Sequence, residues 1–146
     1  MQKLNFSIKI KAPKERVWSV LLDDETYRSW TSVFSPGSHA VTDWKEGSKA
    51  LFLDGKGQGM VSEIAENKPN EYLSIKHLGI VKDGVEELDS DAVKGWAGAL
   101  ENYTLKESGG TTELKIEMDS DDEFKEYFLK TWPSALEKVK ELSESN

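Results

Sequence analysis

The chain has 146 residues, no cysteine and a formal net charge of -8 at pH 7. That length suits one domain, residues 1–146, able to bury about two-thirds of its unfolded surface, while the missing cysteines exclude disulfides, thiolate metal sites and cysteine nucleophiles. The acidic balance opposes nucleic acid and anionic membrane surfaces, both of which are held chiefly by Lys and Arg.

Leu4, Phe6, Ile8 and Ile10 alternate with Lys3, Asn5, Ser7, Lys9 and Lys11, the period-two pattern of a strand with one buried face. No apolar signal core or bilayer-spanning stretch follows Met1, which makes a cytoplasmic protein the expectation. Ala12-Pro13 stops the strand and opens a helix with Val17, Val20 and Leu21 facing inward and Trp18 on the flank. Asp23 and Asp24 end this helix and cap a second, at 25–30.

From Ser38 to Met118 the turns are written in Gly, Pro and Asn: Trp44-Lys45-Glu46-Gly47, Asp54-Gly55-Lys56-Gly57, Lys68-Pro69-Asn70 and Ser108-Gly109-Gly110. Between them the pattern predicts strands at 39–43, 48–53, 59–66, 71–80, 99–106 and 111–118. The stretch 81–98 reads as irregular and acidic. Its Asp89-Ser90-Asp91 misses the glycine and third acid of a calcium loop, so a solvated loop or a short helix at 89–96 that closes one end of a cavity is expected.

The last element is a long amphipathic helix at 120–143, with Ser120 and Glu123 as a capping box. Phe124, Tyr127, Phe128, Trp132, Ala135, Val139 and Leu142 recur at steps of three and four on one face. Pro133 lies inside it, where the lost donor and the ring clash predict a kink. The fold class is α+β: a seven-stranded antiparallel sheet wrapped around the long C-terminal helix, with two short helices between strands 1 and 2.

Three groups of residues are candidates for chemistry. His77 alternates with Leu73 and Ile75, which turns it toward the helix-covered side, as a ligand partner, a general base or an internally satisfied histidine. Glu101 and Tyr103 share a strand face, either as a buried acid/base pair or as a rim carboxylate beside a core phenol. Trp30, Phe34, Trp44, Phe52, Trp96, Tyr103, Phe128 and Trp132 form either an aromatic-lined pocket or ordinary core. His39 and His77 lack spaced carboxylates for a metal, so neither a metal nor a cofactor is expected. No nucleophile motif or phosphate-cradling loop appears, and no catalytic residue is assigned.

Taken in order, Ala12-Pro13-Lys14-Glu15-Arg16-Val17-Trp18, Thr26-Tyr27-Arg28-Ser29-Trp30, Trp44-Lys45-Glu46-Gly47-Ser48, the 98–105 run, the Gly109-Gly110-Thr111-Thr112-Glu113-Leu114 hairpin and Thr131-Trp132-Pro133-Ser134-Ala135-Leu136 carry a resemblance. The chain resembles the SRPBCC or START-like superfamily, and within it the AHSA group, homologues of the activator of the heat-shock-protein ATPase. The resemblance spans essentially the whole chain. It implies a helix-grip fold with a cavity under the terminal helix that in relatives takes lipids, hormones or polyketides. Three functions follow as expectations: a binder of an apolar or amphipathic small molecule, a chaperone-like protein-interaction module, or a cyclase or hydrolase using His77, Glu101 and Tyr103. The first is preferred, because no catalytic pair is fixed by the sequence and the additional domain of the co-chaperone activators is not in this chain.

Overall fold

The computed structural model describes residues 1–145. Its elements run β1 (Gln2–Ile10), α1 (Lys14–Leu22), α2 (Asp24–Thr31), β2 (His39–Val41), β3 (Lys49–Leu53), β4 (Gly59–Lys68), β5 (Tyr72–Lys82), β6 (Val85–Glu87), α3 (Asp91–Lys94), β7 (Leu100–Ser108), β8 (Thr111–Ser120) and α4 (Lys125–Glu144). The strands form one antiparallel sheet in the order β1-β8-β7-β5-β4-β3-β2, with β6 added beside β5. Chain reversal at each Gly-rich turn makes neighbours of consecutive strands, while the two-helix connection carries the chain from β1 at one edge to β2 at the other.

The antiparallel sheet around a long terminal helix that the pattern predicts, and the helix grip that the resemblance implies, are therefore present, with two corrections. An eighth strand, β6, lies inside the stretch read as irregular. Asp83 and Gly84 have φ of 51° and 80°, the left-handed pair that a two-residue type I′ hairpin requires. Gly79 then allows β6 to approach β5, because a Cβ there would lie 2.2 Å from the Glu87 carbonyl oxygen. The second correction concerns the start of α4. Ser120 ends β8 instead of capping the helix, and Asp121 Oδ1 accepts the Phe124 N–H at 3.1 Å.

Alternation decides which face α4 covers. Leu4, Ile10, Leu105, Leu114 and Ile116 are all buried beneath it and join Val17, Val20 and Leu21 from α1 in one core. Each fully buried side chain of this kind contributes about 1.5 to 3 kcal/mol relative to exposure. Helix α4 itself runs unbroken through Pro133, whose ring faces solvent. Trp132, Ala135, Leu136 and Val139 are its buried side.

Candidate functional site

Below α4 and α2, the inner face of β4, β5 and β7 carries a polar chain inside an aromatic shell. His77 is inward-facing on β5, as its alternation with Leu73 and Ile75 predicts, and only 9% exposed. Its Nε2 lies 3.0 Å from Glu101 Oε1 on β7, and its Nδ1 lies 2.7 Å from Ser62 Oγ on β4. The Tyr103 hydroxyl donates to the other Glu101 oxygen. In the neutral imidazole, Nε2–H donates to the carboxylate and Nδ1 accepts from the Ser62 hydroxyl.

Local geometry explains how these residues meet. The pairing of β4 with β5 slips between Val61↔Gly79 and Ser62↔His77, leaving Leu78 as an extra residue on β5. Such a bulge re-aims side chains, and here it sets Ser62 opposite His77. Two backbone bonds, His77 N–H to Ala99 O at 2.9 Å and Gly98 N–H to His77 O at 2.8 Å, tie the same residue to the entry of β7. Glu101 and Tyr103 then share one face by the period of two.

Burial is the largest influence on Glu101 and opposes its ionisation. The His77 hydrogen bond, the His77 charge and the Tyr103 hydrogen bond together outweigh it, so the carboxyl titrates below its ordinary range. Its side chain retains 19% exposure. Burial and then the neighbouring Glu101 charge push the Tyr103 phenol well up, and the same two causes raise Tyr27.

Tyr27, on α2, is, like Ser62, a residue of this site that the sequence reading missed. It packs edge-on to Trp30 at 5.4 Å between ring centres and stands 5.8 Å from Trp44 and 6.3 Å from Phe52. Phe52 in turn meets His77 edge-on at 6.1 Å. With Leu21, Leu22, Leu73, Ile75 and Tyr103, the rings of Tyr27, Trp30 and Trp44 enclose a void of about 10 Å³, the room of a single water. Spacious as the fold is in outline, the aromatic side chains fill it.

Trp132 is the hub beneath α4, with Phe34 at 5.0 Å, Trp30 at 6.0 Å, Phe6 and Tyr103 at 6.1 Å. Its indole Nε1 is buried without a hydrogen-bond partner, a condition that costs about 1 to 3 kcal/mol. Trp44 closes the side of the shell from the β2–β3 connection with φ of 62°, a strained region for a bulky residue. Asn67 Nδ2 holds its carbonyl at 2.7 Å, and Thr42 Oγ1 accepts its N–H at 3.1 Å.

Of the residues singled out in the sequence, Trp30, Leu73, Ile75, Tyr103 and Trp132 are in the core, with Phe34, Trp44, Phe52 and Phe128 packed against it. His77 joins them through Phe52 and Glu101. Trp96 is not brought to this cluster; it follows α3 and is half-buried. His39 is held by its own turn, its Nδ1 2.9 Å from the Gly37 carbonyl. A larger hollow of about 370 Å³ lies on the other sheet face among Asn5, Ser7, Tyr72, Asn102, Thr104 and Glu117. It is open, and its polar groups are engaged locally, Ser74 Oγ with Asn102 Oδ1 at 2.6 Å and Lys3 with Glu117 at 3.2 Å.

The polar chain has the composition of a nucleophilic triad, with Ser62 wholly buried and Glu101 held by two donors. What the arrangement offers is a set of fixed hydrogen-bonding groups at the wall of an aromatic enclosure.

An antiparallel sheet packed on one long terminal helix, with two short helices between its first two strands, is the helix-grip architecture of the START-like superfamily. The chain belongs to the family described as Activator of Hsp90 ATPase homolog 1-like protein, whose model matches residues 11–144. Solved structures agree in fold. Protein MLL2253 from Mesorhizobium loti is 17% identical with a TM-score of 0.75 over 97% of this chain and 96% of that one. The Aha1 dimer from Colwellia psychrerythraea is 18% identical with a TM-score of 0.70 over 99% and 97%. DynU16, from the dynemicin biosynthetic locus, is 14% identical with a TM-score of 0.74 over 99% of this chain, which spans 48% of DynU16. No curated protein matches by sequence. Among the described residues, no helix is long and apolar enough to cross a membrane.

Proposed function

We propose that this chain binds a small, flat, largely apolar molecule bearing a hydrogen-bond acceptor, between α2, α4 and the inner faces of β3, β5 and β7, and that it binds without turning the molecule over. The observation that carries this reading is the unpartnered Trp132 indole N–H, buried among rings that need no donor for their packing. A ligand carbonyl in reach of that N–H would satisfy it, and the Tyr27, Tyr103 and Glu101 groups give the wall a fixed polarity. Entry requires rings to part, because the present void holds one water. Trp44 is suited to move: an outward shift that broke its bonds to Asn67 and Thr42 would let its backbone leave the left-handed region and release the strain stored there. Family membership and the DynU16-like fold are consistent with a ligand site in this position.

Nile red, a neutral planar ketone, tests the proposal by fluorescence titration. Saturable binding is expected, with Trp132→Phe raising Kd about fivefold, the equivalent of one neutral hydrogen bond of about 1 kcal/mol. A linear, unsaturable signal, or the same Kd in parent and Trp132→Phe, overturns it.

A further inference from the structure

The first turn of α4 and the α2–β2 connection carry aromatic surface that the fold does not use. Phe124 is 47% and Tyr127 42% exposed. They join Phe128 and Phe34 in one run of rings, with Phe124–Phe128 at 6.4 Å, Tyr127–Phe128 at 5.4 Å and Phe34–Tyr127 at 6.4 Å between centres. The Tyr127 hydroxyl donates to the Phe34 carbonyl at 2.7 Å, which locks the patch in place before anything meets it. Contiguous exposed aromatic surface marks interaction sites, and rings already held lose little freedom on binding.

Charge selects the occupant. Asp121, Asp122, Glu123 and Glu126 border the patch, against Lys125 and Lys130. Acids at a helix start favour the dipole, but that accounts for the carboxylates and not for the two exposed rings beside them. A second copy would bring the same acids and another net charge of -8, so like charges would face one another. We infer that this patch docks a basic amphipathic helix of a partner protein, its apolar side on Phe124, Tyr127 and Phe128 and its Lys or Arg side toward Asp122, Glu123 and Glu126. Phe124 and Tyr127, the two exposed rings of the patch, do not touch Trp132, and the patch meets the interior only through Phe34 and Phe128.

The probe is a fluorescein-labelled peptide of Leu and Lys, about 18 residues long, with Leu at helical spacing. Its anisotropy is titrated with the full chain at low and at physiological salt. Saturable binding that weakens with salt is expected, together with about a tenfold loss of affinity, near 1.4 kcal/mol, in Phe124→Ser/Tyr127→Ser. Circular dichroism and Nile red affinity should stay at parental values in that variant. Phe124→Ser alone, which leaves the Tyr127 bond intact, serves if the double variant is destabilised. Equal affinity in parent and variants reduces the contact to bulk charge and overturns the proposal. So do an absence of peptide binding, preferential binding to zwitterionic phosphatidylcholine vesicles, and a patch-dependent dimer in sedimentation velocity.

Discussion

The aromatic repeat that leads into α4, from Phe124 to Trp132, meets opposite fates at its two ends. Trp132 is 3% exposed and Val139 fully buried, whereas Phe124 and Tyr127 are 47% and 42% exposed. The difference is the floor beneath them. Trp132 lies against Phe6 of β1 and Tyr103 of β7, while the aromatic ring that Tyr127 meets outside its own helix is Phe34, from the segment after α2. A period of 3.6 reports which residues share a face, not how far the sheet extends under that face.

The largest expected effect tests the buried end. Trp132→Ala should lower stability by about 3 to 5 kcal/mol, as aromatic truncations in packed cores do. Urea denaturation would show it as a lower midpoint with an unchanged slope. A parental midpoint would put the indole outside the core and erase the contrast between the two ends.

Next in size is the polar chain under that end. Glu101→Gln keeps the shape but places an amide nitrogen where one of the two donors, His77 or Tyr103, now ends, at a cost of about 1 to 3 kcal/mol at pH 7. The variant also sharpens the acid response. Because the Glu101 carboxyl titrates below its ordinary range in the fold, its contribution is present above the unfolded value and fades as pH falls through the folded one. Parent and variant midpoints should therefore converge as the pH falls through and below the ordinary carboxylate range. A gap that stays constant over this range would mean that ionised Glu101 adds nothing to the native state.

How far the sequence could reach is visible in these same residues. The strand pattern, the inward turn of His77 and the shared face of Glu101 and Tyr103 all follow from a period of two, and the order of the turns fixes the antiparallel meander. Ser62 could not be found that way. It meets His77 through a slip of register at Leu78, and register belongs to the pair of strands, not to either one. Tyr27 was hidden because α2 reads only as a short polar helix, and its tertiary position decides what its one phenol faces. The Asp83-Gly84 turn was legible, as the φ values of both residues demonstrate, and a two-residue Asp-Gly search across 81–98 would have found β6. The filling of the cavity lies beyond any pattern, since it depends on the rotamers of Trp30, Trp44 and Phe52 together.

A smaller effect is expected midway along α4. Pro133→Ala restores a donor to the Leu129 carbonyl at a solvent-facing position, so stability should rise by about 1 kcal/mol, one net hydrogen bond. Nile red affinity reads the other half of the question. If the proline shapes the enclosure, affinity changes together with stability; a stability gain with unchanged affinity assigns Pro133 no part in binding.

The smallest effect completes the contrast at the exposed end. Phe124→Ala should move stability by no more than about 0.5 kcal/mol, as for other surface substitutions, although it removes an aromatic ring from the very stripe that contains Trp132. The ring rests on Phe128 alone among the aromatic side chains, and its backbone N–H, held by Asp121, survives the change. Equilibrium denaturation of the two alanine variants side by side makes the comparison direct. A loss at Phe124 approaching that at Trp132 would mean that the first turn of α4 is packed in solution, and the surface offered to a partner would not exist. A neutral Phe124→Ala leaves an exposed aromatic ring that adds nothing to stability, which is the condition a docking surface requires.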